Sequence, residues 1–382
     1  SWEWESFGDY LDHLDGRRFD VDVGAQVPHG AVRLYAMGDR GATGEDATAD
    51  DVATMAALVA EGIRAGGLGF TTSRTTNHRT ASGAPTPTLT AAPDELVGIA
   101  EGLRDVGGVI QVVSDFADLD AEFSTFAEMA RTSERALAIS VASEPHRAPW
   151  RDVRDRIAAA CADGLEMRGQ VSARAIGVVF GFDLSLHPFR ALAAYREVAD
   201  LRLAERVAAL AAPDRRARLL GEVDPDRGFF GLLDRVFPLD DPPDYEPPAG
   251  RSIAAIADRE RRTPAEVALD LLLADGGNGL LYYPLYNWDG SLDDTREMLG
   301  DDVLVPGLAD GGAHVGTICD VSFPTTLLQW WGRDRPHGRI PVETLVAKQS
   351  RMTAEALGLR DRVVLAPGYR ADINVIDFEG LR

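Results

Sequence analysis

Lysine, cysteine and long apolar runs are all scarce in this chain of 382 residues. No stretch approaches the roughly 18 to 20 apolar residues of a membrane-spanning helix, and the first five residues lack the basic and apolar regions of a signal peptide. The two cysteines, Cys161 and Cys319, lie far apart and show neither CxxC nor Cys/His spacing. This excludes a disulfide framework and a structural zinc ribbon. We predict a soluble chain of the reducing cytoplasm.

Basic residues are also few relative to acidic ones. The chain has 61 acidic and 39 basic residues, which gives a formal net charge of −22. Such a surface repels phosphate backbones and anionic membranes, so neither nucleic acid nor a membrane is expected as a partner. The 45% of hydrophobic residues is enough for a globular core. Lys348 is the only lysine, and this bias toward arginine carries no functional inference.

Several catalytic motifs are missing. There is no Gly-x-Ser-x-Gly segment, and neither cysteine follows an apolar strand with a histidine nearby. Mechanisms that use a serine or cysteine nucleophile are therefore poorly supported. No glycine-rich phosphate turn follows the first apolar run, which disfavours an open, doubly wound nucleotide-binding sheet.

What the chain does contain is an alternation of strand and helix patterns. It predicts strands at 19–25, 67–72, 108–114, 136–141, 165–171, 279–286 and 303–308. Predicted helices, the first capped by Thr48, lie between these strands. This order favours a (β/α) barrel of the TIM type. Residues 176–248 interrupt it, and we interpret them as a helical insertion.

Active sites of such barrels lie at the carboxyl ends of the strands, which singles out Asp310. It follows the apolar run 303–308 and precedes two glycines, so a ligand can approach the backbone there. Catalysis by Asp310 and a capping or turn role are both open at this stage. His314, four residues further on, either joins Asp310 at a metal or bonds within its own loop.

Five further residues are candidates for substrate binding. His29 follows the first predicted strand, and a structural imidazole is the alternative. Arg74, His78 and Arg79 surround the loop after the second strand, where guanidinium groups suit a substrate carboxylate, although a solvated loop explains them too. Tyr286 ends the aromatic strand 279–286 and either lines a pocket or packs in the core.

Four segments carry a family resemblance. They are VDVGAQVPHGAVRLYAMG (21–38), GLGFTTSRTTNHRT (67–80), GLADGGAHVG (307–316) and the tail LGLRDRVVLAPGYRADINVIDFEGLR (357–382). Together they resemble the N-acyl-D-amino-acid deacylase branch of the amidohydrolase superfamily. The resemblance implies a barrel and a small β domain completed by the tail. It also implies zinc or another divalent metal as Lewis acid, and Asp310 as the carboxylate that takes a proton from water.

The same resemblance exposes departures. The His-x-His that ends the family's first barrel strand is not in this sequence, and we expect the chain to be N-terminally incomplete. Where the strands 108–114 and 136–141 should each deliver a histidine, we place Val112 and Val141. A zinc site of the usual composition is then impossible, and the metal ligands that the chain itself offers are Asp310 and His314.

These observations lead to one favoured function and two alternatives. The favoured one is hydrolysis of the amide bond of a small N-acyl amino acid, with water activated near Asp310. The alternatives are a reduced barrel that binds an amide-containing ligand or partner without turnover, and a cyclic-amide hydrolase. We predict a barrel over 1–350 without its first strands, a β segment over 351–382, a small-molecule substrate and a homo-oligomer.

Overall fold

Parallel strands form the main sheet of the computed structural model, which describes residues 3–144, 149–312, 316–318 and 320–381. In chain order the strands are β1 (Val27–Pro28), β2 (Gly69–Arg74), β3 (Val109–Ser114), β4 (Leu137–Ser140), β5 (Met167–Val171), β6 (Ile176–Phe180), β7 (Phe237–Pro238), β8 (Leu281–Tyr286) and β9 (Leu304–Pro306). Six of them make a parallel sheet in the order β1-β2-β3-β4-β5-β9. The other three pair antiparallel in the order β6-β8-β7.

Helices follow most strands of the parallel sheet. The α-helices are α1 (Phe7–Asp15), α2 (His29–Met37), α3 (Asp39–Ala42), α4 (Ala49–Arg64), α5 (Pro93–Glu101), α6 (Leu119–Ser133), α7 (Trp150–Ala162), α8 (Ala193–Arg196), α9 (Leu203–Ala211), α10 (Pro213–Gly221), α11 (Ile253–Glu260), α12 (Pro264–Gly277), α13 (Asp293–Gly300), α14 (Phe323–Thr326), α15 (Val342–Ala347) and α16 (Thr353–Ala356). Two π-helical segments, Leu327–Asp334 and Lys348–Met352, extend α14 and α15. Among the described residues, no helix combines the length and the apolar character needed to cross a membrane.

Local sequence explains where the longer helices begin. At the start of α4, the hydroxyl of Thr48 accepts from the N–H of Asp51, whose carboxylate accepts from the N–H of Thr48. This capping box satisfies N–H groups that have no partner within the helix. Met55, Val59 and Ile63 then recur at helical spacing and are buried. The same box, built from Thr263 and Glu266, begins α12.

The chain divides into two compact units. The first comprises Ser1–Val171, Gly300–Gly307 and Pro341–Asp377, and it contains the whole parallel sheet. The second comprises Ser172–Leu299, Leu308–Ile340 and Phe378–Arg382, and it contains the antiparallel sheet. A buried apolar cluster that includes Phe180, Phe189 and Leu281 forms the core of the second unit. The predicted division at residue 350 stays a prediction.

Most predicted strands are confirmed to within a few residues, but two are not, and the segment 176–248, interpreted as helical, also contains β6 and β7. The strand predicted at 19–25 is wrong: Val21 and Val23 are exposed and unpaired in the sheet, and β1 begins only at Val27. Alternating valines favour a strand, yet a strand also needs a neighbour to bond with. The segment at 279–286 does form β8, but it pairs antiparallel with β6 and β7 rather than joining the parallel sheet.

The tail also differs from expectation. The tail over 351–382 is expected to complete a small β domain, but it forms no strand within the described residues. Leu365 and Val375 are almost fully exposed. No other described strand lies beside the tail to supply ladder hydrogen bonds. The small β domain stays a prediction.

Candidate active site

Asp310 lies in the second unit on a backbone that is fixed on both sides. Its N–H donates to the carbonyl of Leu308 over 3.0 Å, and its own carbonyl accepts from the N–H of Asp320 over 3.0 Å. Leu308 adopts a φ of 62°, a left-handed conformation that turns the chain sharply at this point. Asp310 itself is exposed. Asp310 thus offers a solvent-accessible carboxylate on a backbone held by two hydrogen bonds.

Asp320 forms a buried ion pair with Arg174. The Arg174 Nη1 atom lies 3.0 Å from Asp320 Oδ1, and both side chains are almost completely shielded from solvent. Burial raises the pKa of Asp320 to about 7, Arg174 opposes that rise, and the charge of Asp310 adds to it. Within the described part of the chain, the second carboxylate oxygen of Asp320, Oδ2, is buried and has no hydrogen-bond partner.

Aromatic rings hold Arg174 in place. Its guanidinium carbon lies 3.6 Å from the ring centroid of Tyr245 and 4.7 Å from that of Phe323. Its Nη2 atom donates to Ser322 Oγ over 3.3 Å. Stacking of this kind suits the planar, delocalised guanidinium and limits its rotamers.

The segment before β6 is pinned as well. Ser172 Oγ donates to the carbonyl of Arg174 over 2.6 Å, and Trp331 Nε1 donates to the carbonyl of Ala173 over 2.6 Å. Tyr282 donates to the carbonyl of Ala175 over 3.3 Å, and burial raises the pKa of that tyrosine well above its usual range. These bonds leave Arg174 little freedom, so Asp320 and the backbone of Asp310 are held with it.

Tyr286, the remaining candidate in the second unit, ends β8. It is half-buried and lies opposite Ile176 in the antiparallel ladder. The structure thus puts Tyr286 and Asp310 in the same compact unit. Its role in substrate binding stays a prediction.

His29, in the first unit, is enclosed by hydrogen bonds. Its Nδ1 atom lies 2.8 Å from Thr72 Oγ1 and its Nε2 atom 2.8 Å from Glu95 Oε1, while Arg33 pairs with the other oxygen of Glu95. Burial lowers the pKa of His29, and the bond to Glu95 opposes that change. Only 1% of His29 is exposed, so its geometry favours the structural alternative over contact with a substrate.

The arginines predicted to bind an anion have separate environments. Arg74 lies on β2 rather than in the loop, and its Nε and Nη2 atoms bond both carboxylate oxygens of Glu122 at 2.8 and 2.7 Å. The Glu122 carboxylate therefore takes the two guanidinium N–H groups that were expected to bind a substrate carboxylate. Arg79 is exposed and donates to the carbonyl of Gly83. His78 is exposed and bonds Ser73 Oγ through Nδ1 at 2.7 Å.

The described residues do not fit a metal site. Among them, no three His, Cys, Asp or Glu side chains come together in a group able to hold a metal ion. His314, the second predicted ligand, lies outside the described residues. Val112 and Val141, where histidine ligands were expected, are buried among apolar side chains.

Two features of this region were missed by sequence reasoning. Arg174 and Asp320 are 146 residues apart, and nothing in the local sequence distinguishes Arg174 from the chain's other arginines. The one available signal was the proximity of Asp320 to Asp310 along the chain. Asp320 is buried and Asp310 is exposed, so the two carboxyl groups lie in different environments.

Comparison with solved structures places the fold. Two structures of D-aminoacylase match this chain at 19% sequence identity, one from a study of the functional role of its binuclear metal centre (TM-score 0.58) and one described as defining a novel subset of amidohydrolases (TM-score 0.57). A mutant of D-aminoacylase in complex with copper chloride matches at 18% identity and a TM-score of 0.58. Each comparison covers 96% of this chain and 64% of the other. The predicted α/β fold with a TIM-like barrel of the amidohydrolase type is thereby confirmed.

The sequence comparisons concern the family. No curated protein matches this sequence. A family model described as the amidohydrolase family matches residues 1–382, the entire chain. The strand-end position of Asp310 and the barrel fold agree with that match, and the chain belongs to the amidohydrolase family.

Proposed function

We propose that this chain is a hydrolase that cleaves the carbon–nitrogen bond of a small N-acyl amino acid. The observation that carries the proposal is the exposed carboxylate of Asp310 on a backbone bonded to both Leu308 and Asp320. Family membership supports the reaction class. The chain spans about 64% of the length of the D-aminoacylase chains it matches, so their activity is a hypothesis for this protein.

The chemistry needs one group that accepts a proton and later returns it. Asp310 takes a proton from a water molecule while the water oxygen bonds to the amide carbonyl carbon. The carbonyl π electrons move to its oxygen and form a tetrahedral intermediate. When the carbonyl re-forms, the carbon–nitrogen bond breaks and Asp310 gives the proton to the leaving nitrogen. The products are a carboxylic acid and a free amine.

The substrate class and the metal follow from resemblance and stay proposals. D-aminoacylase, by its name, suggests an N-acyl-D-amino acid, and the work on its binuclear centre suggests a divalent metal. Zinc is the metal that the sequence resemblance implies. The described residues do not fit such a metal, and the step above uses none.

Binding without turnover is the second candidate function. The observation that favours it is the apolar, buried character of Val112 and Val141, where metal-binding histidines were expected. A barrel that retains its pocket but lacks metal ligands binds an amide and releases it unchanged.

One experiment separates the two functions. The purified protein is incubated with N-acetyl-D-amino acids and their L enantiomers, and release of the free amino acid is measured with and without added Zn²⁺. Bound metal is quantified on the same sample by mass spectrometry. Release of amino acid supports the hydrolase, whereas binding of the same compounds by calorimetry with no release supports the second function. If the protein neither binds nor cleaves these compounds, both proposed functions are contradicted.

A further inference from the structure

The two faces of the parallel sheet differ in chemistry. A Cβ atom added to Gly169 of β5 would lie 2.9 Å from Val141 and 3.4 Å from Ile157 of α7, so this face of the sheet packs against helices. Phe70 on β2 and Val112 on β3 are fully buried on the corresponding side of their strands. Since side chains alternate along a strand, their sequence neighbours point to the opposite face.

That opposite face carries polar residues, together with Val113, Ala138 and Val305. Thr71 is paired with Gln111 in the register of β2 and β3, and Ser140 is paired with Gln170 in the register of β4 and β5. All four residues are half-buried. Parallel sheets are ordinarily covered by apolar residues on both faces, and a barrel interior is filled mainly by branched apolar side chains. Hydroxyl and amide groups in their place need hydrogen-bond partners.

Gln111 and Gln170 are bonded to each other. The Nε2 atom of Gln111 lies 2.7 Å from the Oε1 atom of Gln170. This hydrogen bond uses one of the two N–H donors of one amide and one of the two lone pairs of the other amide's oxygen. Whichever of the two side chains donates, the pair keeps a carbonyl oxygen that accepts and an NH₂ group that donates. An amide group of a ligand needs this combination.

Small residues flank the pair in the sheet. Ala138 of β4 is paired with Gln111 on β3 and with Arg168 on β5. Gly307 follows β9, and a Cβ added there would already touch the side chain of Gln170 at 3.5 Å. With alanine and glycine at these positions, no bulky side chain from either residue covers the two amides.

The charged residue next to the pair on β5 is Arg168, whose Nη1 atom donates to the carbonyl of Met167 over 2.8 Å. We propose that the Gln111–Gln170 pair binds the amide group of a small N-acylated ligand through hydrogen bonds. The choice of an N-acylated ligand rests on the proposed function, whereas the binding site itself does not.

The test compares two probes that differ only in one group, an amide N–H or an ester oxygen. N-acetylglycine carries an amide N–H, and acetoxyacetate has an ester oxygen in its place. Binding of each to the full chain is measured by calorimetry in buffer containing EDTA. A site that bonds an N–H discriminates strongly against the analogue that lacks it, so we expect N-acetylglycine to bind at least about tenfold more tightly.

Variants assign that preference to the pair. In Gln111→Leu and Gln170→Leu we expect the preference to fall to about twofold or less, whereas the control Gln349→Leu, outside the sheet, should keep it. Gln111→Glu and Gln170→Glu, which retain an acceptor, serve if a leucine variant fails to fold. The inference is overturned if the wild type binds neither probe in this buffer, or if the variants keep the preference. Binding without hydrolysis would remove the proposed function and leave this site intact.

Discussion

The backbone N–H of Asp320 donates to the carbonyl oxygen of Asp310 over 3.0 Å, so a buried carboxylic acid and an exposed one are joined through the main chain. Arg174 holds the buried partner, with its guanidinium between the rings of Tyr245 and Phe323. The hydrogen bond to Asp320 thereby helps to fix the backbone of the exposed Asp310. Such preorganisation lets a catalytic group sit ready at low entropic cost.

Replacing Asp310 separates a catalyst from a turn residue. Asparagine keeps the shape and removes the proton acceptor, so we expect Asp310→Asn to lower the rate of amide hydrolysis by at least about a hundredfold. The midpoint of thermal unfolding should change little, because the bonds to Leu308 and Asp320 involve backbone atoms. Asp289→Asn, an exposed aspartate of the same unit, is the matched control. A destabilised but active Asp310→Asn would indicate a turn residue instead.

Asp320 should leave a signature in the pH dependence of stability. Its pKa is raised from 3.8 to about 7, mainly by burial, so the folded state binds a proton more tightly than the unfolded state does. The stability that this proton contributes is present at low pH and is lost as the pH rises toward 7.

We therefore expect the free energy of unfolding of the wild type to fall, relative to Asp320→Asn, between about pH 4 and pH 7. Urea denaturation of both proteins across that range measures the difference, with Asp289→Asn as the control. Parallel stability curves for wild type and Asp320→Asn would mean that the carboxyl group titrates normally.

Arg74 and Arg79 should behave differently from each other. Arg74 is bonded to both oxygens of Glu122 and to the carbonyl of Ala91, so Arg74→Ala should lower the free energy of unfolding by about 1 to 3 kcal/mol. Arg79→Ala, at an exposed position, should change it by less than about 0.5 kcal/mol. Urea denaturation distinguishes them. A stable Arg74→Ala with a raised KM for carboxylate substrates would restore the role in anion recognition that the sequence predicts.

Lys348 provides a chemical probe of unfolding. Its Nζ atom is buried and donates to the carbonyls of Asp301 and Leu304, and burial lowers its pKa. Because it is the only lysine, an amine-acetylating reagent should modify only the α-amino group of the native protein and add a second acetyl group in urea. Intact-protein mass spectrometry counts the groups, and Lys348→Arg should never gain the second one. Rapid acetylation of native Lys348 would show that it is accessible.

Sequence patterns were most informative where structure is local. The capping box at Thr48 and the apolar spacing of Met55, Val59 and Ile63 specify α4 by themselves. The apolar run before Asp310 likewise placed that residue at a strand end. Such features depend on residues a few positions apart, so one sequence contains all the information they need.

Features that depend on distant pairing could not be predicted. The valines at 21 and 23 have the pattern of a strand but no neighbour in the sheet. The expected ligand position Val112 lies in register with Ile139 and Gly169, on the face that packs against α7, and a shift of one residue along a strand reverses the face. The ion pair of Arg174 and Asp320 and the amide pair of Gln111 and Gln170 each join residues far apart in the chain.

The two outer strands of the described parallel sheet make it a poor template for aggregation. β1 has two residues and β9 has three, and each ends in a proline, Pro28 and Pro306, which has no N–H to donate. Lys348 already takes up the carbonyl of Leu304 on β9. A second polypeptide aligned with either edge strand would have few free backbone hydrogen-bond donors and acceptors to pair with. These short strands therefore disfavour edge-to-edge association of the sheet.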